Sequence, residues 1–273
     1  MSDIIVNPNR ALWEKGDFTR LAETMRESGE ALVDMLDVRP GMDVLDLGCG
    51  DGTTALPSAR RGATVLGVDI AANLVAAGNR RAREAGLDNL HFQQGDASAL
   101  DLPNGRFDLV VSLFGAMFAP RPFDTAREMV RVTRPGGRIV MGNWIPGDPT
   151  LVTRILQICA AYTPPPPEGF VSPISWGLEE QVIERFGAAG IGRENIVCER
   201  ATYTFRYPGS PSAFLAVFRD YYGPTMNAFE AADKDGRHDG LQAELEELFT
   251  SEDRGGPDAT EIPATYLKVT VRA

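Results

Sequence analysis

Short apolar runs alternate with amphipathic stretches through the first half of the chain. The runs are rich in Val, Leu and Ile and show no polar alternation, which is typical of parallel strands buried on both faces. The stretches between them repeat apolar residues at helical spacing. The predicted strands cover residues 44–47, 63–69, 89–94, 106–114 and 138–144. This alternation predicts an α/β fold with helices on both faces of a mostly parallel sheet.

Helical patterns flank this core, and the regular alternation stops after residue 144. Residues 9–40 carry apolar residues at helical spacing, and the pattern ends at Pro40 and Gly41. Four prolines at 164–167 predict an extended segment. Further predicted elements are a helix over 179–190, a strand over 196–207, helices over 210–249 and a closing strand over 262–271. Aromatic faces on the helices over 210–249 indicate either a pocket wall or a dimer interface.

The turn after the first strand carries the most specific motif of the chain. Gly48, Gly50 and Gly52 follow the strand, and glycines let backbone N–H groups approach a ligand closely. A dinucleotide turn of the form G-x-G-x-x-G would need glycine at position 53, where the chain has Thr53. The pattern D-x-G-x-G-x-G, which begins at Asp46, fits at every position. The turn therefore predicts a nucleotide site and favours the second pattern.

On these residues the chain resembles the class I S-adenosylmethionine (SAM) methyltransferases. The Asp46 carboxylate would repel a pyrophosphate but suits the ammonium of a methionine moiety. Asp69 ends the second strand, where a carboxylate can accept both ribose hydroxyls of an adenine nucleoside, in a dehydrogenase as in a methyltransferase. In the family that the chain resembles, a strand-end Asp binds the adenine amine and the next backbone N–H binds a ring nitrogen. Asp96 and Ala97 occupy these positions.

The resemblance implies a set of residues that bind SAM and its product S-adenosylhomocysteine (SAH). These residues follow the first four predicted strands, whose carboxyl ends would share one edge of the sheet. The predicted cofactor-binding residues are Asp46, Gly48, Cys49, Gly50, Asp69, Ile70, Asp96, Ala97, Ser112 and Phe114.

The residues at the tip of the fourth strand limit the classes of methyl acceptor that we expect. Family members that methylate nucleobase amines or glutamine amides carry a Pro-Pro motif at this tip, whereas this chain has the sequence Ser-Leu-Phe-Gly at 112–115. The Arg-Pro-Gly-Gly turn at 134–137 resembles small-molecule methyltransferases of the ubiquinone and menaquinone biosynthesis group. We therefore expect a SAM-dependent methyltransferase that acts on a small organic molecule.

The resemblance also implies the complete architecture. We expect a Rossmann-like, seven-stranded, mostly parallel sheet with an antiparallel last strand, N-terminal helices and a helical insertion before the last strand. One domain would cover residues 1–273. Its predicted parts are a helical cap at 1–40, a SAM-binding core at 41–144, a lid at 145–176, and the rest of the sheet at 177–273 with a helical insertion at 208–250.

Composition and charge argue against several partners. The chain has 273 residues, of which 43% are hydrophobic and 24% charged, as in one ordinary globular domain. A formal net charge of -11 argues against a nucleic-acid partner, which requires clustered Lys and Arg. The three cysteines are far apart, so neither a disulfide framework nor a metal site is expected. A signal peptide and a membrane span are not recognisable, which predicts a cytoplasmic protein.

Aromatic residues near the predicted pocket are candidates for the acceptor site, with burial in the core as the alternative for each. The candidate walls are Trp13, Phe18, Trp144, Tyr162 and Trp176. A catalytic base is not identifiable, because His91 lies within a predicted strand and His238 in a polar turn. This pattern favours a carbon acceptor, an amine or an acidic phenol.

Other functions are compatible with the sequence. An NAD(P)-dependent oxidoreductase would share Asp69, although Thr53 argues against it. A SAM-binding protein without catalysis is a second alternative, since the sequence identifies no catalytic side chain. Methylation of a protein or an RNA is a third, and the acidic charge weakens the RNA case. The sequence does not specify the oligomeric state, and a homodimer is compatible with it.

Overall fold

The computed structural model describes residue 7 and residues 9–273. The strands are β1 (Asp43–Leu47), β2 (Thr64–Asp69), β3 (Leu90–Gln94), β4 (Phe107–Leu113), β5 (Thr133–Trp144), β6 (Ile196–Tyr207) and β7 (Thr260–Arg272). The helices are α1 (Asn9–Glu14), α2 (Phe18–Glu23), α3 (Arg26–Met35), α4 (Ala55–Arg60), α5 (Ala72–Glu84), α6 (Pro122–Val132), α7 (Leu151–Tyr162), α8 (Glu179–Ala188), α9 (Pro211–Tyr221), α10 (Gly223–Lys234) and α11 (His238–Glu252). Short 3-10 turns cover Ala116–Phe118, Pro173–Gly177 and Arg193–Asn195.

The seven strands form one sheet in the order β3-β2-β1-β4-β5-β7-β6. β1 to β5 are parallel, and β7 is antiparallel to both β5 and β6. Leu45 in the middle of β1 pairs with Leu66 of β2 and Val110 of β4, and it is fully buried because helices cover both faces. The predicted fold class, including the antiparallel last strand, is confirmed.

The chain order of the strands reverses between β1 and β4. These two strands are neighbours in the sheet, although β2 and β3 lie between them in the sequence. Ligands of open α/β sheets bind at such a switch point, beyond the carboxyl ends of the strands. The glycine turn after β1, the end of β2 and the tip of β4 therefore meet at one edge.

The segment 145–176, which the sequence predicts as a lid with an extended run of prolines, begins with a helix. α7 has twelve residues, and the prolines at 164–167 lie outside regular secondary structure. Leu151, Ile155 and Cys159 of α7 are buried, and the helix packs against α10 and α11. This helix depends on contacts with elements about 80 residues later in the chain, which a local pattern does not reveal. β5 also begins at Thr133 and not at the predicted residue 138. Thr133 pairs with Phe107 of β4, and the register between the two strands shifts before Leu109 pairs with Arg138.

The N-terminal cap lies across the carboxyl end of the sheet. α1 contains no fully buried residue, so polar contacts contribute to its position. The Ala72 backbone N–H donates to Glu14 Oε1 at 3.1 Å, which joins α1 to the start of α5. At the far end of the cap, the Arg206 backbone N–H donates to the Thr24 carbonyl at 3.0 Å and joins the cap to edge strand β6. The cap thereby closes one side of the crevice at the switch point.

Candidate active site

A cavity of about 990 Å³, including its open mouth, lies at the switch point. The turn after β1 forms one side of it, and the N-terminal cap forms another. The predicted residues that line this cavity are Trp13, Phe18, Asp46, Gly48, Cys49, Gly50, Asp69, Ile70, Ala97 and Phe114. The fold therefore brings together every predicted cofactor residue except Asp96 and Ser112, and it adds two of the predicted acceptor residues. We call this space the cofactor cavity.

Glycine is required at each of the three positions of the turn for a different structural reason. All have positive φ, at 68° for Gly48, 55° for Gly50 and 94° for Gly52. A Cβ on Gly48 would lie 2.7 Å from the Gly115 backbone, so this glycine permits contact between the turn and the tip of β4. A Cβ on Gly52 would overlap core side chains. Only a Cβ on Gly50 would project into open space, 4.0 Å from the Phe18 ring, so Gly50 leaves room for a ligand.

Asp69 at the end of β2 is fixed by backbone donors. Its Oδ2 accepts the Gly50 N–H at 2.8 Å, and its Oδ1 accepts the Ala71 N–H at 2.9 Å. Burial raises the pKa of Asp69, and these hydrogen bonds oppose that effect. Because carboxylate oxygens retain further lone pairs, Asp69 can still accept hydrogen bonds from two ribose hydroxyls.

Asp46 is a buried carboxyl that lacks a full set of partners. It is 2% exposed, and its Oδ2 has no hydrogen-bond partner among the described residues. Burial, followed by the charge of Asp69, raises the pKa of Asp46 to about 8. An unpartnered buried carboxyl destabilises a protein unless a donor reaches it, and a ligand ammonium would satisfy this one.

The other acidic residue of the turn is already paired. Asp51 lies 3.1 Å from Arg26 of α3 and 3.1 Å from Arg81 of α5. Burial still raises the pKa of Asp51, while both guanidinium groups lower it. Asp51 therefore connects the cap, the turn and α5. Its Oδ1, like Asp46 Oδ2, has no hydrogen-bond partner among the described residues, but its charge is compensated by two guanidinium groups. Asp46 has no such cationic partner among the described residues, so it is the carboxyl that suits a cationic ligand group.

Two predicted cofactor residues have other surroundings. Asp96 does not line the cavity, and its carboxylate accepts the Ser98 N–H at 2.8 Å and the Asn7 side-chain amide at 3.2 Å. Ser112 is buried between strands, where its hydroxyl donates to the Leu47 carbonyl at 2.6 Å and accepts the Ala116 N–H at 2.9 Å. In this conformation Ser112 fixes the tip of β4 and does not contact a ligand directly.

A second, apolar cavity, of about 330 Å³ including its open mouth, adjoins the cofactor cavity. The residues that line both cavities are Trp13, Phe18, Met25, Phe114 and Phe118. The second cavity is completed by Leu21, Trp144, Val152, Phe205, Phe218 and Tyr222. We call it the acceptor chamber, because it extends the cofactor cavity past the tip of β4.

Phe114 stands between the two cavities in an unusual conformation. Its φ of 61° is positive, which a bulky side chain adopts only where the surrounding structure enforces it. Its ring stacks on Trp144 with centroids 3.8 Å apart and planes 7° apart. Tyr203 and Tyr266 contact the same ring edge-on, each at 5.2 Å. Aromatic contacts therefore hold the strained tip of β4 and form the wall between cofactor and chamber.

Two of the predicted acceptor walls lie elsewhere, and this part of the prediction is corrected. The Tyr162 hydroxyl donates to Glu244 at 2.6 Å, and neither cavity is lined by this residue. Trp176 is 1% exposed and packs under the Arg185 guanidinium, 4.6 Å from its ring, and beside Phe186. Tyr162 packs beside α11 and Trp176 beside α8, which agrees with the alternative that the sequence left open.

The sequence prediction did not assign four aromatic residues of the chamber. They are Phe118, Phe205, Phe218 and Tyr222. The aromatic face of the helices over 210–249 was the only signal, and it fitted a dimer interface equally well. Phe118 and Phe205 carried no sequence signal, because an aromatic in a strand or turn is most often part of the core.

The described residues around both cavities include no His, Lys or Arg. His91 is on β3, beyond β2 from the switch point, and is exposed. His238 lies on the surface, with Nδ1 2.6 Å from Asp233. Within the described part of the chain, metal-binding clusters of His, Cys, Asp and Glu are absent, and helices of the length and apolarity needed to cross a membrane are absent too.

The sheet order defines a Rossmann-like fold with a cavity at its switch point. Comparisons identify the class further. A family model for a methyltransferase domain matches residues 44–137. Nocamycin O-methyltransferase of Saccharothrix syringae is 31% identical over 90% of this chain and 91% of its own length. An uncharacterized protein of Mycobacterium tuberculosis is 34% identical over 88% of this chain and 86% of its own.

A solved structure with lower sequence identity to this chain has the same fold. It is phosphoethanolamine N-methyltransferase 2 of Haemonchus contortus in complex with phosphomonomethylethanolamine and SAH. The TM-score is 0.60 and the identity 16%, over 98% of this chain and 60% of the other. The chain therefore belongs to the class I SAM-dependent methyltransferases, and its cofactor is SAM.

Proposed function

We propose that this protein transfers the methyl group of SAM to a small, apolar organic molecule that binds in the acceptor chamber. The observation that carries the proposal is that the two cavities share the same aromatic residues, beginning with Trp13, Phe18 and Phe114. A molecule in the chamber would thus lie directly beside the cofactor.

Three parts of the cofactor cavity would hold SAM. Asp46, with its free buried oxygen, would bind the ammonium of the methionine moiety. Asp69 would accept the ribose hydroxyls, and Gly50 leaves room for the methionine chain to pass. Ile70 and Ala97 offer apolar surfaces to the adenine ring. When bound, SAM supplies an electrophilic methyl group on a sulfonium, and the neutral thioether is a good leaving group.

The protein would contribute mainly position and exclusion of water. The aromatic walls of the chamber restrict the acceptor to the region beside the cofactor, and placing two reactants in this way can supply most of a rate enhancement. The cap residues Trp13 and Phe18 cover both cavities and shield them from solvent. The three cysteines are free thiols, which supports action in a reducing compartment such as the cytoplasm.

The cofactor assignment can be tested by titration calorimetry with SAH, with NAD and NADP run in parallel. We expect micromolar binding of SAH and no comparable binding of the dinucleotides. Asp69→Ala should weaken SAH binding about a hundredfold, because two charge-assisted hydrogen bonds are lost. Asp239→Ala, which changes an exposed carboxylate on α11, is the matched control and should bind as the wild type does. Binding of NAD with none of SAH would refute the proposed function.

A further inference from the structure

The acceptor chamber offers no charged partner to a bound molecule. Among the described residues that line it, none is Asp, Glu, Lys, Arg or His. The adjoining cofactor cavity has the carboxyls of Asp46, Asp51 and Asp69 but no cationic side chain. An ammonium substrate would therefore lose its hydration in the chamber without gaining a carboxylate partner. An aliphatic alcohol would find no base to remove its proton.

Tyr222 contributes the only side-chain hydroxyl among the described residues that line the chamber. Tyr222, directly after α9, lines the chamber and is 5% exposed. Its hydroxyl forms no hydrogen bond with any described residue, whereas the hydroxyl of Tyr203 in the cofactor cavity donates to the Met25 carbonyl at 2.5 Å. Burial raises the pKa of Tyr222, and the nearby Cys159 thiol adds to the effect. Tyr222 thus stays protonated and is suited to donate a hydrogen bond rather than to accept a proton.

We infer that the acceptor is a flat, apolar molecule with an acidic hydroxyl of the phenol or enol type, and that Tyr222 donates a hydrogen bond to its oxygen. The inference rests on the proposed function, because it requires SAM in the cofactor cavity. Flat rings fit walls that are themselves aromatic, as in the stacked pair of Phe114 and Trp144. An acidic hydroxyl meets the need for a nucleophile in a chamber without a base.

The chemistry balances without a protein base. The acceptor hydroxyl releases its proton to water before or during entry. A lone pair of the resulting oxyanion then forms the new O–C bond to the methyl carbon, the C–S bond breaks, and its electron pair stays on sulfur. The products are a neutral methyl ether and neutral SAH, so an ion pair of oxyanion and sulfonium is consumed. Among the described residues, the side chains that line the two cavities include no cation, so the sulfonium of SAM would supply the positive charge beside the oxyanion.

The decisive experiment is the pH dependence of kcat/KM for a series of para-substituted phenols of graded acidity, at saturating SAM. We expect the midpoint of the rise in rate to follow the pKa of each phenol. Among the described residues, the titratable groups that border the chamber or the cofactor cavity are Tyr222, Cys159 behind it, Cys49, Tyr203 and the carboxyls of the cofactor cavity. If one of these groups acted as the base, every phenol would give the same midpoint. That result would overturn the inference.

A pair of variants tests the role of Tyr222. Tyr222→Phe removes only the hydroxyl, and we expect KM for 2-naphthol to rise about tenfold while the affinity for SAH is unchanged. Tyr221→Phe is the matched control, because this neighbouring tyrosine lines neither cavity, and it should change neither value. An unchanged KM for 2-naphthol in folded Tyr222→Phe would overturn the assignment of Tyr222.

The two proposals fail in different ways. If the protein binds SAH but methylates neither 2-naphthol nor any phenol of the series, the inferred acceptor class is wrong and the cofactor assignment stands. If the protein does not bind SAH, the proposed function itself fails.

As a further check, 2-naphtholate should bind more tightly in the presence of sinefungin, whose ammonium replaces the methyl sulfonium, than with neutral SAH. Equal affinity would contradict the ion pair.

Discussion

The cofactor cavity and the acceptor chamber adjoin each other but are built on opposite principles. The cofactor cavity is lined by the carboxyls of Asp46, Asp51 and Asp69, and many of its other lining residues belong to the single turn that runs from Asp46 to Thr54. The chamber relies on apolar, mostly aromatic side chains from the cap, the tip of β4, the end of β5, α7, β6 and the end of α9. Methyltransferases that use the same cofactor need the same contacts to it, whereas each acceptor is recognised by the shape of its own pocket. This difference explains why the cofactor cavity can be recognised from a local sequence motif, whereas the chamber is assembled from segments that are far apart in the sequence.

The strongest test of this contrast concerns two glycines of the same turn. Gly48→Ala should destabilise the protein by about 3 kcal/mol or more, because its Cβ would overlap the Gly115 backbone at 2.7 Å and φ is 68°. Gly50→Ala should cost only about 1 kcal/mol, from its positive φ, since its Cβ faces open space. SAH binding should nevertheless be lost in Gly50→Ala. Thermal unfolding and titration calorimetry separate the two outcomes, and equal stability of both variants would contradict the packing argument.

Filling the chamber should separate it from the cofactor cavity. Val152 of α7 lines the chamber only, so Val152→Phe should reduce methyl transfer to 2-naphthol more than tenfold and leave the affinity for SAH within about twofold. Val197→Phe introduces the same side chain at an exposed position of β6 and serves as the control. A parallel loss of SAH affinity in Val152→Phe would show that the two spaces are one site.

Asp46 should link cofactor binding to a proton. Because burial raises the pKa of Asp46 to about 8, the carboxyl is largely protonated at neutral pH without ligand. Binding of the SAH ammonium should then release close to one proton, which calorimetry in buffers of different ionisation enthalpy measures. Asp46→Asn should abolish this release and weaken SAH binding about tenfold. Proton release that persists in the variant would assign it to another group.

The same residue gives a prediction for the stability of the ligand-free protein. The folded chain holds the Asp46 proton more tightly than the unfolded chain, so this carboxyl's contribution to stability is present at low pH and is lost as pH rises from about 4 to about 8. The Tm of Asp46→Asn should therefore exceed that of the wild type by an amount that grows across this window. A difference that shrinks with rising pH would contradict the direction of the pKa shift.

The smallest effect is expected at the contact between the cap and the turn. Arg26→Gln removes one of the two guanidinium partners of Asp51, and Arg81 remains 3.1 Å away. We expect a loss of about 1 kcal/mol in the free energy of unfolding, because Arg26 is partly exposed. SAH binding should weaken only a few fold. Arg10→Gln, which affects an exposed pair within α1, should have no measurable effect on stability.

The sequence by itself determined the sheet core and the cofactor turn. Parallel strands buried on both faces appear as apolar runs whatever surrounds them, and the spacing from Asp46 to Gly52 is fixed within one strand-turn-helix unit. Asp69 could be placed for the same reason, since it directly ends the next strand. These features depend on residues that are close in the sequence, so a local pattern contains them.

The tertiary structure alone decided the acceptor chamber. Aromatic residues have the same sequence signature in a core, in a pocket wall and at an interface, so Tyr162 and Trp176 could not be told apart from Trp144 and Tyr222. The packing of α7 against α10 and α11 buries Tyr162 beneath the insertion, while α9 turns Phe218 and Tyr222 toward the cap. A chamber whose walls come from six distant segments exists only after those segments have packed, and its shape therefore follows from contacts that no local pattern encodes.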